Sequence, residues 1–210
     1  MLTVLATGVA SLAPDTIKLN LTLRSVREIY NEAIDDAATQ LANLQRCLQT
    51  VGFDTTDLVT TDFYVNTKYE HVKDEIGNYK QVFMGYEVTQ QLQVMMPLDM
   101  KHLSAVIAAL SVCAAKPEFN LYFIRQDTQS LQTLALQDAA QKASQKAIVL
   151  AESLAVTITG TERIEVVQDY PVIQPRRYEV EALISDTSYV DITPEDIQTE
   201  VNISVTYRIN

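Results

Sequence analysis

Residues 79 to 96 read YKQVFMGYEVTQQLQVMM. Val82, Met84, Tyr86, Val88, Leu92, Val94 and Met96 occupy even positions, and the odd ones are mostly polar. This is the period-two alternation of a strand that buries one face. At roughly 3.3 Å per residue the stretch would reach about 60 Å, longer than a compact domain of this size should be wide. Gly85 lies mid-way, where a residue without Cβ permits a bulge or a sharp bend. Residues 86–96 are therefore expected in a core sheet, with 79–84 projecting together with 59–69 as a hairpin arm. On this register Phe83 falls on the polar side, opposite to Val82 and Met84. The arm then carries apolar residues on both faces, which invites a partner.

The flanking segments set the fold class. Residues 2–10 read as a short strand, and Pro14-Asp15 marks a turn. Ile17, Leu19, Leu21 and Leu23 then alternate with polar residues as a second, half-buried strand. Ser25 and Glu28 have the spacing of a capping box. The helix they would open carries Tyr30, Ala33, Ile34, Ala37, Leu41, Leu44 and Leu48 on one stripe and ends at Gly52. Val59, Thr61, Phe63, Val65 and Tyr69 form the outgoing strand of the hairpin, and KDEIGN (73–78) its turn. Asp99 is placed to cap a second helix with Leu103, Val106, Ile107 and Leu110 inward, and FNLYFI (119–124) reads as a central strand.

Strand, helix, strand, strand, helix, strand is the order of a split βαβ, or ferredoxin-like, arrangement. The expected class is α+β, an antiparallel sheet with helices on one face. A third, longer helix is predicted over 128–155, with Leu136, Ala140, Ala143, Ala147, Leu150, Ala151 and Leu154 inward. A strand near 161–169 follows. Residues 170–196 carry Pro171, Pro175 and Pro194 and are expected to be the most mobile part, cut first by proteases near Arg176 or Arg177. Val201, Ile203, Val205, Tyr207 and Ile209 close the chain as a strand.

Composition excludes several roles. The 210 residues suffice for one substantial core, and the net charge of −11 opposes binding to phosphate backbones or anionic membranes. The charge itself serves solubility. No run approaches the roughly 20 apolar residues of a membrane helix, and residues 1–10 lack the basic start of a signal peptide. As the sequence stands a cytoplasmic location is expected, or a periplasmic or cell-surface one if a leader was removed.

The chemistry-bearing residues are few. His71 and His102 have no ligand spacing, and no nucleophile elbow, phosphate loop or dinucleotide fingerprint occurs. No catalytic residue, cofactor or metal is expected. Cys47 and Cys113 stand 66 positions apart, each read as a buried thiol in a helix. The two helices should run antiparallel, each cysteine near its own C-terminal end. The pair is thus expected at opposite ends of the helical layer, beyond the roughly 7 Å Cα limit for a disulfide.

Four segments together resemble the SIMPL domain family: TGVASLAPDTIKLNLTLRS (7–25), LQTVGFDTTDLVTTDFYVNTKYE (48–70), GYEVTQQLQV (85–94) and ALQDAAQKASQKAIVLAESLAV (135–156). They carry Gly8, Pro14-Asp15, the Gly52, Asp57 and Thr60 spacing, and Gly85-Tyr86. Ala155 departs from the pattern, which usually has a helix-ending glycine there, and Glu195 follows Pro194 where a Pro-Gly pair is common. The resemblance implies kinship with bacterial periplasmic and envelope immunogenic proteins and with a vertebrate adaptor of a pelle-like kinase. It also implies stress association and ring-like or channel-like assembly, with no catalytic residue to carry over. The expectation is a non-enzymatic homo-oligomer or protein-binding domain, with Val82, Phe83, Met84, Gly85 and Tyr86 as the candidate interface. The alternatives are a small-ligand carrier, with a cavity between sheet and Ala-rich helix, and an enzyme.

Overall fold

The computed structural model describes residues 1–73, 79–167, the backbone of Arg177–Tyr178, and residues 193–210. The chain is α+β, with two antiparallel sheets and three helices among these residues. It divides into two compact units, one built from 1–15, 124–176 and 193–210, the other from 16–123 and 177–192.

In the second unit β2 (Thr16–Arg27), α1 (Tyr30–Gln49), β3 (Val59–Lys73), β4 (Tyr79–Pro97), α2 (Met100–Ser111) and β5 (Glu118–Ile124) follow in the expected order. The sheet order is β3-β4-β2-β5, with the two residues of β7 (Arg177–Tyr178) beyond β5. This is the split βαβ topology: each helical crossover skips one strand, which a later or earlier strand fills. The inward residues of β2, Ile17, Leu19 and Leu21, are fully buried. They form one cluster with Leu44 and Leu48 of α1, Leu92 and Val94 of β4, Leu103 and Val106 of α2, and Leu121 of β5. One shared cluster places both helices on the same sheet face. FNLYFI lies nearer the margin than expected, between β2 and the two-residue β7.

Two local readings are corrected. Ser25 does not cap α1, because β2 continues to Arg27 and buries Ser25 within the strand. Its hydroxyl lies 3.2 Å from the Ala33 carbonyl oxygen and 2.5 Å from Asp36 Oδ2, so it ties the strand to the helix laterally. Ile29 stands at the N-cap with no side-chain hydrogen bond. Asp99 does cap α2, accepting from the Lys101 and His102 amides at 2.8 and 3.2 Å. These donors hold its carboxyl below the ordinary carboxylate range, the His102 amide contributing most.

The expectation of two separate thiols is overturned. Cys47 and Cys113 form a disulfide with their Cα atoms 6.0 Å apart. The helix directions survive: His102 Nε2, near the start of α2, is 2.8 Å from the Val51 carbonyl oxygen just past α1, so the helices are antiparallel. What differs is their stagger. At 1.5 Å per residue α1 is about 30 Å long and α2 about 18 Å. The end of α2 reaches only the last turns of α1, and Cys113 follows just beyond its C-cap Val112. Its Sγ lies 3.8 Å from the Asn43 carbonyl oxygen, one helical turn before Cys47.

In the first unit β1 (Leu2–Leu12) and β6 (Ile158–Val166) both pair with β8 (Ile197–Ile209), giving the order β1-β8-β6. α3 (Thr128–Ser153) packs on β1 and β8, capped by the Asp127 carboxylate on the Ser130 amide. Its buried residues are Leu131, Ala135, Ala139, Ala143, Ala147 and Ala151, of which only the last three belong to the predicted stripe. Leu136, Leu150 and Leu154 are exposed. A run at every fourth position slants across the helix axis, and here it is held to alanine by Gly8 of β1. A Cβ on Gly8 would stand 2.0 Å from the Ala135 carbonyl oxygen and 2.7 Å from the Ala139 Cβ. Strand and helix backbones touch there, so a leucine at either alanine would force them apart.

Residues 74–78, and 170–196 apart from Arg177–Tyr178 and 193–196, lie outside the described residues. The expected hairpin turn and most of the segment expected to be cut first by proteases fall there.

Ala155 completes a Schellman ending of α3: its amide donates to the Glu152 carbonyl and that of Val156 to the Ala151 carbonyl. Its φ of 54° is left-handed, a conformation costing a residue with a Cβ about 1–2 kcal/mol. Ala155→Gly should therefore raise stability by about 0.5–1 kcal/mol, after the extra freedom glycine has in the unfolded chain. Urea unfolding checks this. Thiol titration of the denatured, unreduced protein should find no free groups. Cys113→Ser should cost about 4 kcal/mol, the loop-closure value for 66 residues.

Candidate functional site: the hairpin arm

β2 stops pairing with β4 at Arg27, opposite Tyr86, whereas β3 follows β4 to the Lys73–Tyr79 pair. The projecting part is therefore 68–73 with 79–85, shorter than expected on the β3 side. Residues 59–66 are the edge of the core sheet itself.

The change happens at Gly85. Its φ is +123°, and a Cβ there would lie 2.2 Å from the Arg27 carbonyl oxygen. The ladder pairs Lys68 with Gly85 and then Tyr69 with Phe83, so Met84 is an extra, bulged residue. A bulge shifts the alternation by one. Phe83 thereby lies on the same face as Tyr86, not on the opposite register read from the sequence.

That face is the one α1 covers further back, where Tyr86 is half-buried against Ala33 and Val88. Beyond the start of α1 it continues uncovered. Tyr30 meets Tyr86 edge-on with centroids 5.3 Å apart, Tyr86 meets Phe83 at 5.5 Å, and Phe83 meets Tyr69 at 5.6 Å. Further out His71 Nε2 and Gln81 Nε2 are 3.2 Å apart, and the Lys73 ammonium lies 5.3 Å over the Tyr79 ring. Tyr79 is 68 % exposed, Tyr69 50 % and Phe83 44 %. Val82 and Met84 are exposed as well, while Gly85 is buried. Of the five predicted residues, Val82, Phe83 and Met84 are thus exposed, Tyr86 is half-buried in the row and Gly85 is buried. Tyr30, Tyr69 and Tyr79 extend the surface and were missed, because their alignment depends on the bulge.

Asp127 and Asp138 titrate below the carboxylate range, the first chiefly through the Ser130 hydroxyl and the second chiefly through Lys142. Burial raises the Tyr207 phenol. His102 stacks on Phe53 with ring centroids 5.3 Å apart. Among the described residues no group of three His, Cys, Asp or Glu is placed to hold a metal ion. No described helix is long and apolar enough to cross a membrane. At Gly8 the backbones of β1 and α3 are in direct contact.

The fold and arm define an α+β protein with two antiparallel sheets and an extended, aromatic hairpin. The chain belongs to the SIMPL family, described as a protein of unknown function (DUF541), whose model matches residues 2–207. No curated protein matches the chain. Among solved structures it is similar to an uncharacterised conserved protein from Listeria innocua, at 11 % identity over 97 % of this chain and 92 % of that one, with a TM-score of 0.20. A second, described as a hydrolase from Listeria innocua, has 9 % identity over 95 % and 92 %, also with a TM-score of 0.20. At such scores neither likeness carries an argument.

Gly85→Ala should cost roughly 3 kcal/mol, since the new methyl meets backbone and the φ is left-handed. Amide exchange of residues 79–85 should accelerate more than that of 88–96. Equal acceleration of both would show that the arm does not pivot on Gly85.

Proposed function

We propose that the protein is a non-enzymatic, self-assembling domain whose arm docks on another copy. The aromatic face of the arm carries this reading: it continues a core face past the helix that covers it. Tyrosine and phenylalanine are the residues that dominate protein interfaces when desolvated, and three rings that are 44–68 % exposed stand in one row. The arm is also a free edge, because β3 has no strand partner but β4 among the described residues. The Cys47–Cys113 bond supports assembly in an oxidising compartment, where disulfides persist. Such a compartment also fits the envelope and stress roles that the family resemblance implies.

Sedimentation velocity is the test. The wild-type protein should associate at micromolar concentration, and Phe83→Asp should raise the dissociation constant at least tenfold with an unchanged far-UV circular dichroism spectrum. A wild-type monomer at high micromolar concentration would end the proposal. Association indifferent to Phe83→Asp would move the interface off the arm.

A further inference from the structure

The three-stranded sheet of the first unit has two margins, and the chain treats them differently. At β1 the backbone is bonded by side chains of α3: the Val9 amide donates to Asp138 Oδ2 at 2.8 Å, and Lys146 Nζ donates to the Leu5 carbonyl at 3.2 Å. That edge is blocked, the usual protection against strand addition. At the other margin β6 has β8 as its only strand partner among the described residues, and residues 161–167 are all exposed.

The side chains of β6 are self-complementary. Arg163 and Glu165 pair with Thr206 and Ser204 and share the outer face, where they form an ion pair with each other. Ile164 and Val166 pair with Val205 and Ile203, the buried helix-side residues of β8, yet are 66 % and 48 % exposed. α3 covers β1 and β8 and leaves this part of the sheet bare.

We propose that β6 is a two-fold pairing edge, extending the sheet antiparallel into β6 of a second copy with Ile164 opposite Ile164 on the axis. Only a second copy is needed, because the edge complements itself. With Ile164 on the axis, Arg163 faces Glu165 of the other strand and Glu165 faces its Arg163. Four charges then alternate in sign around the axis, and opposite charges directly across strands are the favourable arrangement. The two Ile164 side chains meet on the other face, continuing the apolar surface beyond β8. An isologous contact of this kind closes on itself. This interface goes beyond the proposed role of the arm and does not rest on it, since β6 and the arm belong to different units.

Cysteine cross-linking tests both the contact and its register. With the native cysteines bonded to each other, Ile164→Cys supplies a single free thiol. Residues facing each other across antiparallel strands have Cα atoms about 4.5–5.5 Å apart, within disulfide range. Mild oxidation should give a covalent dimer. Val166→Cys, on the same face but about 13 Å from its counterpart by strand rise, should not. The experiment is repeated with Phe83→Asp, where the 164 cross-link should persist even if arm-mediated assembly is lost.

Charge exchange is the second arm. Arg163→Glu or Glu165→Arg alone should weaken the dimer at least tenfold in sedimentation of the Phe83→Asp protein, and the double exchange should restore it. No cross-link at 164, equal cross-linking at 164 and 166, or a double exchange as weak as either single one would each overturn the proposal.

Discussion

The contact between Gly85 and the Arg27 carbonyl governs the second unit. Strand β2 ends there and the chain turns over β4 to enter α1, and only a residue without Cβ lets the two backbones pass. The same glycine absorbs the bulge at Met84. Three consequences share one cause: the end of three-strand pairing, the start of the helix, and the shift that brings Phe83 into line with Tyr86. The aromatic row exists because its parity was reset at that point. A regular strand would have sent Phe83 to the far face and scattered the rings.

The first unit meets a similar demand at Gly8. There a strand presses against a helix closely enough that only alanines fit at Ala135 and Ala139. The cost is a core poor in large side chains on the helix, offset by the larger Ile197, Val201, Ile203 and Tyr207 that β8 supplies. Apolar volume is thus concentrated in the strand, and the helix contributes a smooth surface. Leucines displaced from the buried row appear outside, at positions 136, 150 and 154.

Much of this architecture was legible from periodicity. Alternation along 17–23, 86–96 and 201–209, with Asp99 as a cap, fixed the order of elements and hence the split βαβ sheet. What escaped was relational. In α3 the buried Ala143, Ala147 and Ala151 were read correctly, but Leu136, Leu150 and Leu154 were drawn inward in place of Ala135 and Ala139 because leucine looks more inward than alanine, and only the closeness of Gly8 reverses that preference. Ser25 has the spacing of a cap, yet β2 runs through it. The cysteines were separated by reasoning that laid the two helices alongside each other over their whole length, when the end of α2 reaches only the last turns of α1. Their direction was readable; their stagger was not. The arm was visible as a strand too long for its domain, but the face it presents depends on one extra residue.

The bond between Cys47 and Cys113 encloses β3, β4 and α2 in a covalent ring. A single peptide-bond break anywhere within that ring leaves both fragments tethered, and the sheet retains the strands on either side of the cut. The arm can therefore be opened or extended by insertion without releasing either end of the chain. Damage to it would leave the molecular mass under non-reducing conditions nearly unchanged and would appear as two polypeptides only after reduction. The most exposed element of the second unit is thus the one whose loss of continuity the chain is covalently built to survive.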